Sequence, residues 1–110
     1  VTGPTFARGQ VVTVFRSYLR DEPDPGYEAL NDAMHRRVHE LGGLVEVKSF
    51  AADDGERVTL VTFEDRAAHE RWASDAAHRR AQQLGRSAVY RAYSVQVADC
   101  TAATSFVAAE

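Results

Sequence analysis

The sequence predicts a single α+β domain with the element order βαββαβ, on three observations. Four segments alternate apolar and polar residues at period two, one segment carries an apolar stripe at spacings of three and four, and Asp or Gly punctuation separates them. At 110 residues, with 45% apolar and 26% charged residues, the chain has the size and composition of one globular domain with one core.

Gln10 to Arg20 (QVVTVFRSYLR) sets Val11, Thr13, Phe15, Ser17 and Leu19 against Val12, Val14, Arg16 and Tyr18, a strand with apolar groups on both faces. In the following DEPDPGYEAL, Asp24 is expected to cap a helix whose first position Pro25 fills. Tyr27, Leu30, Met34, Val38 and Leu41 then form one helical stripe, which Gly42 and Gly43 end. Leu44 to Ala51 reads as an edge strand, Asp53-Asp54-Gly55 as a hairpin turn, and Arg57 to Glu64 as a central strand apolar on both sides. Asp65 caps a second helix, which is broken, since Asp75 caps a further piece (AAHRRAQQL) expected to stop at Gly85. Ala88 to Ala98 is the last strand.

The domain is therefore expected over residues 10–98, with an N-terminal extension over 1–9 and a tail over 99–110 whose one large apolar residue is Phe106. With right-handed crossovers, this order gives a ferredoxin-like antiparallel sheet with both helices on one face. The first and third strands are greasy on both sides, so the other face needs a cover, and a symmetric second copy of the same sheet is the economical one. A homodimer is the expectation, with a larger partner chain as the alternative.

Several classes of function are excluded at this level. No apolar run approaches the roughly 20 residues needed to cross a bilayer, and Val1 to Gly9 lacks the pattern of a signal peptide. The formal net charge of −3 offers no footprint for nucleic acid, and RVTLVTF lacks the stacking aromatics of an RNA-binding sheet. Cys100, the single cysteine, allows no intrachain disulfide and no thiolate metal cluster. A cytoplasmic protein without membrane or nucleic-acid partners is expected. His35 and His39 stand at i, i+4, a spacing that can hold a metal, but both lie off the apolar stripe without an evident third ligand, so a solvated face and no metal are expected.

The run VTLVTFEDRAAHERWASDAAHRRAQQLG followed by VYRAYSVQV, together with VVTVFRSYL and the turn GGLV, resembles the antibiotic biosynthesis monooxygenase family. The resemblance spans Gln10 to Val97. It implies small dimeric α+β barrels, among which are cofactor-free oxygenases of aromatic polyketides, and a pocket between sheet and helices inside each subunit. Relatives that degrade haem carry an Asn in the first strand, which QVVTVFRSYL lacks. The cofactor-free oxygenases often carry an Asn four residues before the tryptophan, where this chain has Ala68.

Trp72 shares a helix face with Ala68 and offers a flat wall with one donor, suited to an aromatic substrate or, equally, to a core. His78 stands six residues after it, where similar proteins place a pocket group, and His69 one turn before; either could act as acid or base, or simply face solvent. Arg91 could steady an oxyanion, its alternative role being a surface ion pair. Tyr18, Tyr90 and Tyr93 are further candidates for the substrate wall. A cofactor-independent monooxygenase of an aromatic or polyketide-type phenolic or enolic substrate is the expected function, with a place in antibiotic or other secondary-metabolite biosynthesis. An isomerase or cyclase on the same fold, and a non-catalytic small-molecule-binding dimeric module, are the alternatives.

Overall fold

A computed structural model describes residues 5–109 of the chain; the first four residues of the extension expected over 1–9 lie outside the described residues. The order is β1 (Val11–Leu19), α1 (Tyr27–Glu40), β2 (Leu44–Ala51), β3 (Arg57–Phe63), α2 (Arg66–Ala73), α3 (Ala76–Leu84), a π-helical turn (Gly85–Val89) and β4 (Tyr90–Asp99). The four strands form one antiparallel sheet in the order β2-β3-β1-β4, the ferredoxin-like arrangement, with β2 at an edge and β3 inside as their apolar patterns require.

Strand alternation divides the sheet chemically. Thr13, Phe15 and Ser17 of β1, Thr59 and Val61 of β3, and Tyr93, Val95 and Val97 of β4 face the helices. Val12 and Val14, Val58 and Leu60, and Phe50 occupy the other face, half-buried or exposed. The helices cover their side unevenly. Val38, Val61, Phe63, Ala68 and Trp72 close a core over β2 and β3, with Met34, Leu41, Leu44 and Val47 packed around it. Over β4, Val95 and Val97 remain 47% exposed. The sheet and helices therefore touch at one side and gape at the other.

The acidic caps of the second and third helices lie where the sequence indicates. Asp65 accepts a hydrogen bond from the Ala68 amide at 2.9 Å, and Asp75 accepts one from the His78 amide at 3.1 Å. The start of α1 differs from expectation. Asp24 accepts from the Gly26 amide at 2.8 Å, closing a turn within the loop, so Gly26 becomes the cap and the helix begins at Tyr27. Gly85 also differs, because it does not end α3. Its backbone stays helical and the chain widens into the π-helical turn; the Arg20 guanidinium donates to the carbonyl of Arg86 in that turn and to that of Tyr90, the first residue of β4. Gly85 is needed for space instead, since a Cβ there would stand 2.8 Å from the Tyr90 ring.

The last strand, expected over Ala88 to Ala98, begins at Tyr90, because Ala88 and Val89 belong to the π-helical turn, and ends at Asp99; residues 100–109 that follow have no regular structure, and Phe106 is 88% exposed. Among the described residues, no helix is long and apolar enough to cross a membrane.

Candidate functional site

Where sheet and helices gape, they enclose a cavity of about 690 Å³. Its floor is the helix-facing side of β1, β3 and β4, and its roof is built from α1, α2, α3 and the π-helical turn. The volume is within the range of small-molecule sites, and the wall is mainly apolar with a few polar groups, as such sites are.

The break between α2 and α3 shapes one end. By ending α2 at Ala73 and restarting at Ala76, it turns His78 back over Trp72, so that the two rings stack with centroids 3.8 Å apart and an interplanar angle of 14°. His78 Nδ1 lies 3.0 Å from the Trp72 carbonyl oxygen. A carbonyl can only accept, so Nδ1 carries the proton of the neutral ring and Nε2 keeps its lone pair. Burial pushes the His78 pKa below the ordinary histidine value, against the opposing pull of the Trp72 carbonyl and the Asp75 charge. Asp75 is itself clamped by Arg37 of α1, whose Nη2 donates at 2.7 Å and Nε at 3.2 Å. The Arg37 guanidinium holds this carboxyl below the usual aspartate range. A neutral, unhindered imidazole fixed on an aromatic plate is the arrangement of a general base.

His69 lines the same end, edge-on to Phe63 at 5.7 Å, and its buried Nδ1 makes no hydrogen bond. Buried Thr13 Oγ1 is likewise unpartnered. Ala68 is 1% exposed and pressed against Gly43, so the position where similar oxygenases carry Asn is filled here by packing.

The opposite end is aromatic. Phe15 meets Tyr90 edge-on at 5.3 Å and Tyr93 at 5.5 Å, and Tyr27 approaches Tyr90 at 6.3 Å. Burial above all, with Tyr27 adding to it, drives the Tyr90 pKa up to about 12, so its hydroxyl is a neutral donor at any physiological pH.

Trp72, His78, His69, Tyr90 and Tyr93 are thus brought to one cavity, whereas Tyr18 and Arg91 are not. Tyr18 lies on the outer face by the alternation of β1, with Val12, Val14 and Arg16, and a bulge puts Arg91 there too. Tyr18 pairs with Ala92 and Leu19 with Tyr90, so Arg91 is the extra residue and is thrown to the far face. There its guanidinium lies 5.3 Å from the Tyr18 ring, while the Tyr18 hydroxyl donates to Asp54 at 2.8 Å. Both residues serve the outer face of the sheet. His35, expected on a solvated face, instead lines the cavity, and so does Arg57, which sequence reasoning did not single out. Arg57 shares the alternation of Thr59, Val61 and Phe63, and that parity was the available signal. Among the described residues, no group of three or more His, Cys, Asp or Glu side chains is arranged to hold a metal.

This fold is that of the antibiotic biosynthesis monooxygenases, the name borne by solved structures that share it. Rv0793 from Mycobacterium tuberculosis superposes with a TM-score of 0.74 at 20% identity, over 87% of this chain and 99% of that one. SnoaB from Streptomyces nogalater, a cofactor-independent oxygenase, superposes with a TM-score of 0.70 at 14% identity, over 88% of this chain and 97% of its own. In sequence, the uncharacterized protein YqjZ of Bacillus subtilis is 29% identical over 85 residues, which cover 77% of this chain and 75% of that protein. No family model matches the chain.

Proposed function

We propose that this chain is a member of the antibiotic biosynthesis monooxygenase family and oxidises a flat phenolic or enolic substrate with dioxygen and without a cofactor. The observation that carries the proposal is the neutral His78 imidazole stacked on Trp72 in the wall of the cavity. SnoaB, with the same fold, is a cofactor-independent oxygenase, which favours this reaction over the isomerase and binding-module alternatives.

In the proposed reaction, His78 Nε2 takes a proton from an acidic C–H of the substrate, and the carbanion so formed passes electrons to dioxygen. A C–O bond forms and the peroxide takes up a proton. The O–O bond then breaks with loss of the second substrate hydrogen as water, leaving a carbonyl. Trp72 holds the flat ring, and the neutral Tyr90 hydroxyl donates to the oxygen on which charge collects. The apolar wall keeps water from the carbanion.

The test is turnover of an anthrone or a naphthol in air and under strict anaerobiosis, followed by product analysis and an oxygen electrode. Oxidised product is expected only in air, with dioxygen and substrate consumed in equal amounts and faster than in buffer alone. Identical outcomes in the two atmospheres would overturn the proposal.

The working form is proposed to be a homodimer. Val12, Val14, Val58, Leu60 and Phe50 form an apolar band on the helix-free face, of the kind that marks an interface. Sedimentation equilibrium is expected to show a dimer at micromolar concentration. Leu60→Asp, which sets a charge at the centre of the band, should shift it to monomer by a hundredfold or more in dissociation constant, about the cost of an unpaired buried charge. A wild-type monomer would exclude this assembly.

A further inference from the structure

The cavity is asymmetric in charge in a way that the proposed reaction does not require. The chain has 16 Asp and Glu against 13 Lys and Arg, yet among the described residues no carboxylate lines the cavity, while Arg57, Lys48 and three histidines (His35, His69, His78) do; the Lys48 ammonium itself lies 5.7 Å from the centroid of the Phe50 ring, and Arg57 is a solvent-exposed residue. Arg57 is also uncommitted. The ion pairs of the described residues engage Arg16, Arg37 and Arg66, and the guanidiniums of Arg20 and Arg86 are spent on carbonyls and on Tyr93. Among the described residues, Arg57 makes no such bond.

The register shows what surrounds it. Ser17 of β1 pairs with Arg57 on one side and with Tyr93 on the other, all three on the cavity face. Arg57 is also near enough to Tyr90 for its charge to oppose the rise in that phenol's pKa. The Tyr93 oxygen already accepts from Arg86 at 3.2 Å, which leaves its hydroxyl proton free to donate. The Arg57 guanidinium and the Tyr93 hydroxyl therefore meet at the aromatic end, both of them donors, with the Tyr90 ring beside them. Such a set matches a planar anion, since a guanidinium fork fits a carboxylate with two parallel bonds. An amine or a neutral hydrocarbon would leave it unanswered.

We propose that the ligand is an aromatic acid: its carboxylate lies at Arg57 and the Tyr93 hydroxyl, and its ring system extends past Tyr90 toward Trp72 and His78. This rests on the reading of the cavity as a site for a flat molecule, and it adds the substrate's charge and its direction in the site. The acid group is held at one end while the reacting carbon is presented to His78 at the other.

Isothermal titration calorimetry with 2-naphthoate and its uncharged counterpart 2-naphthamide separates the claims, because neither binding event depends on oxygen or on turnover. The acid is expected to bind wild-type protein at least about fivefold more tightly than the amide, the effect of a partly exposed charge-assisted pair. Arg57→Gln should abolish that preference by weakening the acid and leaving the amide unchanged, whereas Arg80→Gln, which removes an equal charge outside the cavity, should retain it. Equal binding of acid and amide to wild type, or a preference that survives Arg57→Gln, would overturn the inference and leave the monooxygenase reading standing. Failure of both ligands to bind would remove the flat-molecule cavity and this inference together.

Discussion

Replacing His78 by Gln is expected to slow turnover by a factor of about 10² to 10⁴, the usual worth of a positioned general base, with little change in ligand affinity. In the proposed reaction the ring acts through Nε2, because Nδ1 is committed to the Trp72 carbonyl at 3.0 Å, and a glutamine can fill the space without a basic nitrogen. The pH profile supplies the second signature. Burial lowers the His78 pKa below its ordinary value of 6.5, and the active form is the unprotonated one. The value of kcat/KM should therefore be level at neutral pH and fall as acid is added and the pH passes through that lowered pKa. This acid limb should vanish in the variant. The same shift makes His78 favour the folded state above pH 6.5 and lose that contribution as pH falls through the lowered value. A variant with wild-type kcat would reduce His78 to a wall residue.

Gly43→Ala should be the most damaging small substitution to stability. The residue has φ +79°, where an L side chain costs about 1–2 kcal/mol. Its added Cβ would also stand 2.4 Å from that of Ala68. Overpacking of this kind adds about 1–3 kcal/mol, so a total of about 2–5 kcal/mol is expected, a large share of a typical stability of about 5–15 kcal/mol. Gly42 supplies the control. It has φ +80° but nothing within 4 Å of a Cβ, so Gly42→Ala should show the backbone cost alone. Urea unfolding of the two variants measures the difference, and equal midpoints would mean that α2 does not rest on this turn.

The two glycines also show how far the sequence could be read. Their place after a stripe ending at Leu41 identified the end of the helix, and the alternation of QVVTVFRSYL and RVTLVTF separated the faces of the sheet. Asp65 and Asp75 announced the broken second helix, whereas the return of His78 over Trp72 that the break produces is visible only in the fold. What escaped depended on contacts between distant segments. The bulge that turns Arg91 outward exists only in the pairing of β4 with β1, and alternation within either strand gives no sign of it. Gly85 looked like a helix end because glycine usually is one; its actual duty is to make room for the Tyr90 ring, a neighbour visible only after folding. His35 lies off the stripe of its own helix, and it borders the cavity because the helices close over β2 and β3 but gape over β4. Arg57 was hidden by its type, since an arginine at the start of a strand reads as solvent-exposed, which it is, and only the folded sheet shows that it also borders the cavity.

The clamp between Arg37 and Asp75 joins segments 38 residues apart. It means that chemistry here is a property of the finished domain and of no smaller part. In an unfolded chain the imidazole is hydrated, detached from the indole and titrates as any histidine does. In the folded domain the first helix grips the aspartate that accepts from the His78 amide, so the setting of the proposed base depends on a segment far away in the chain.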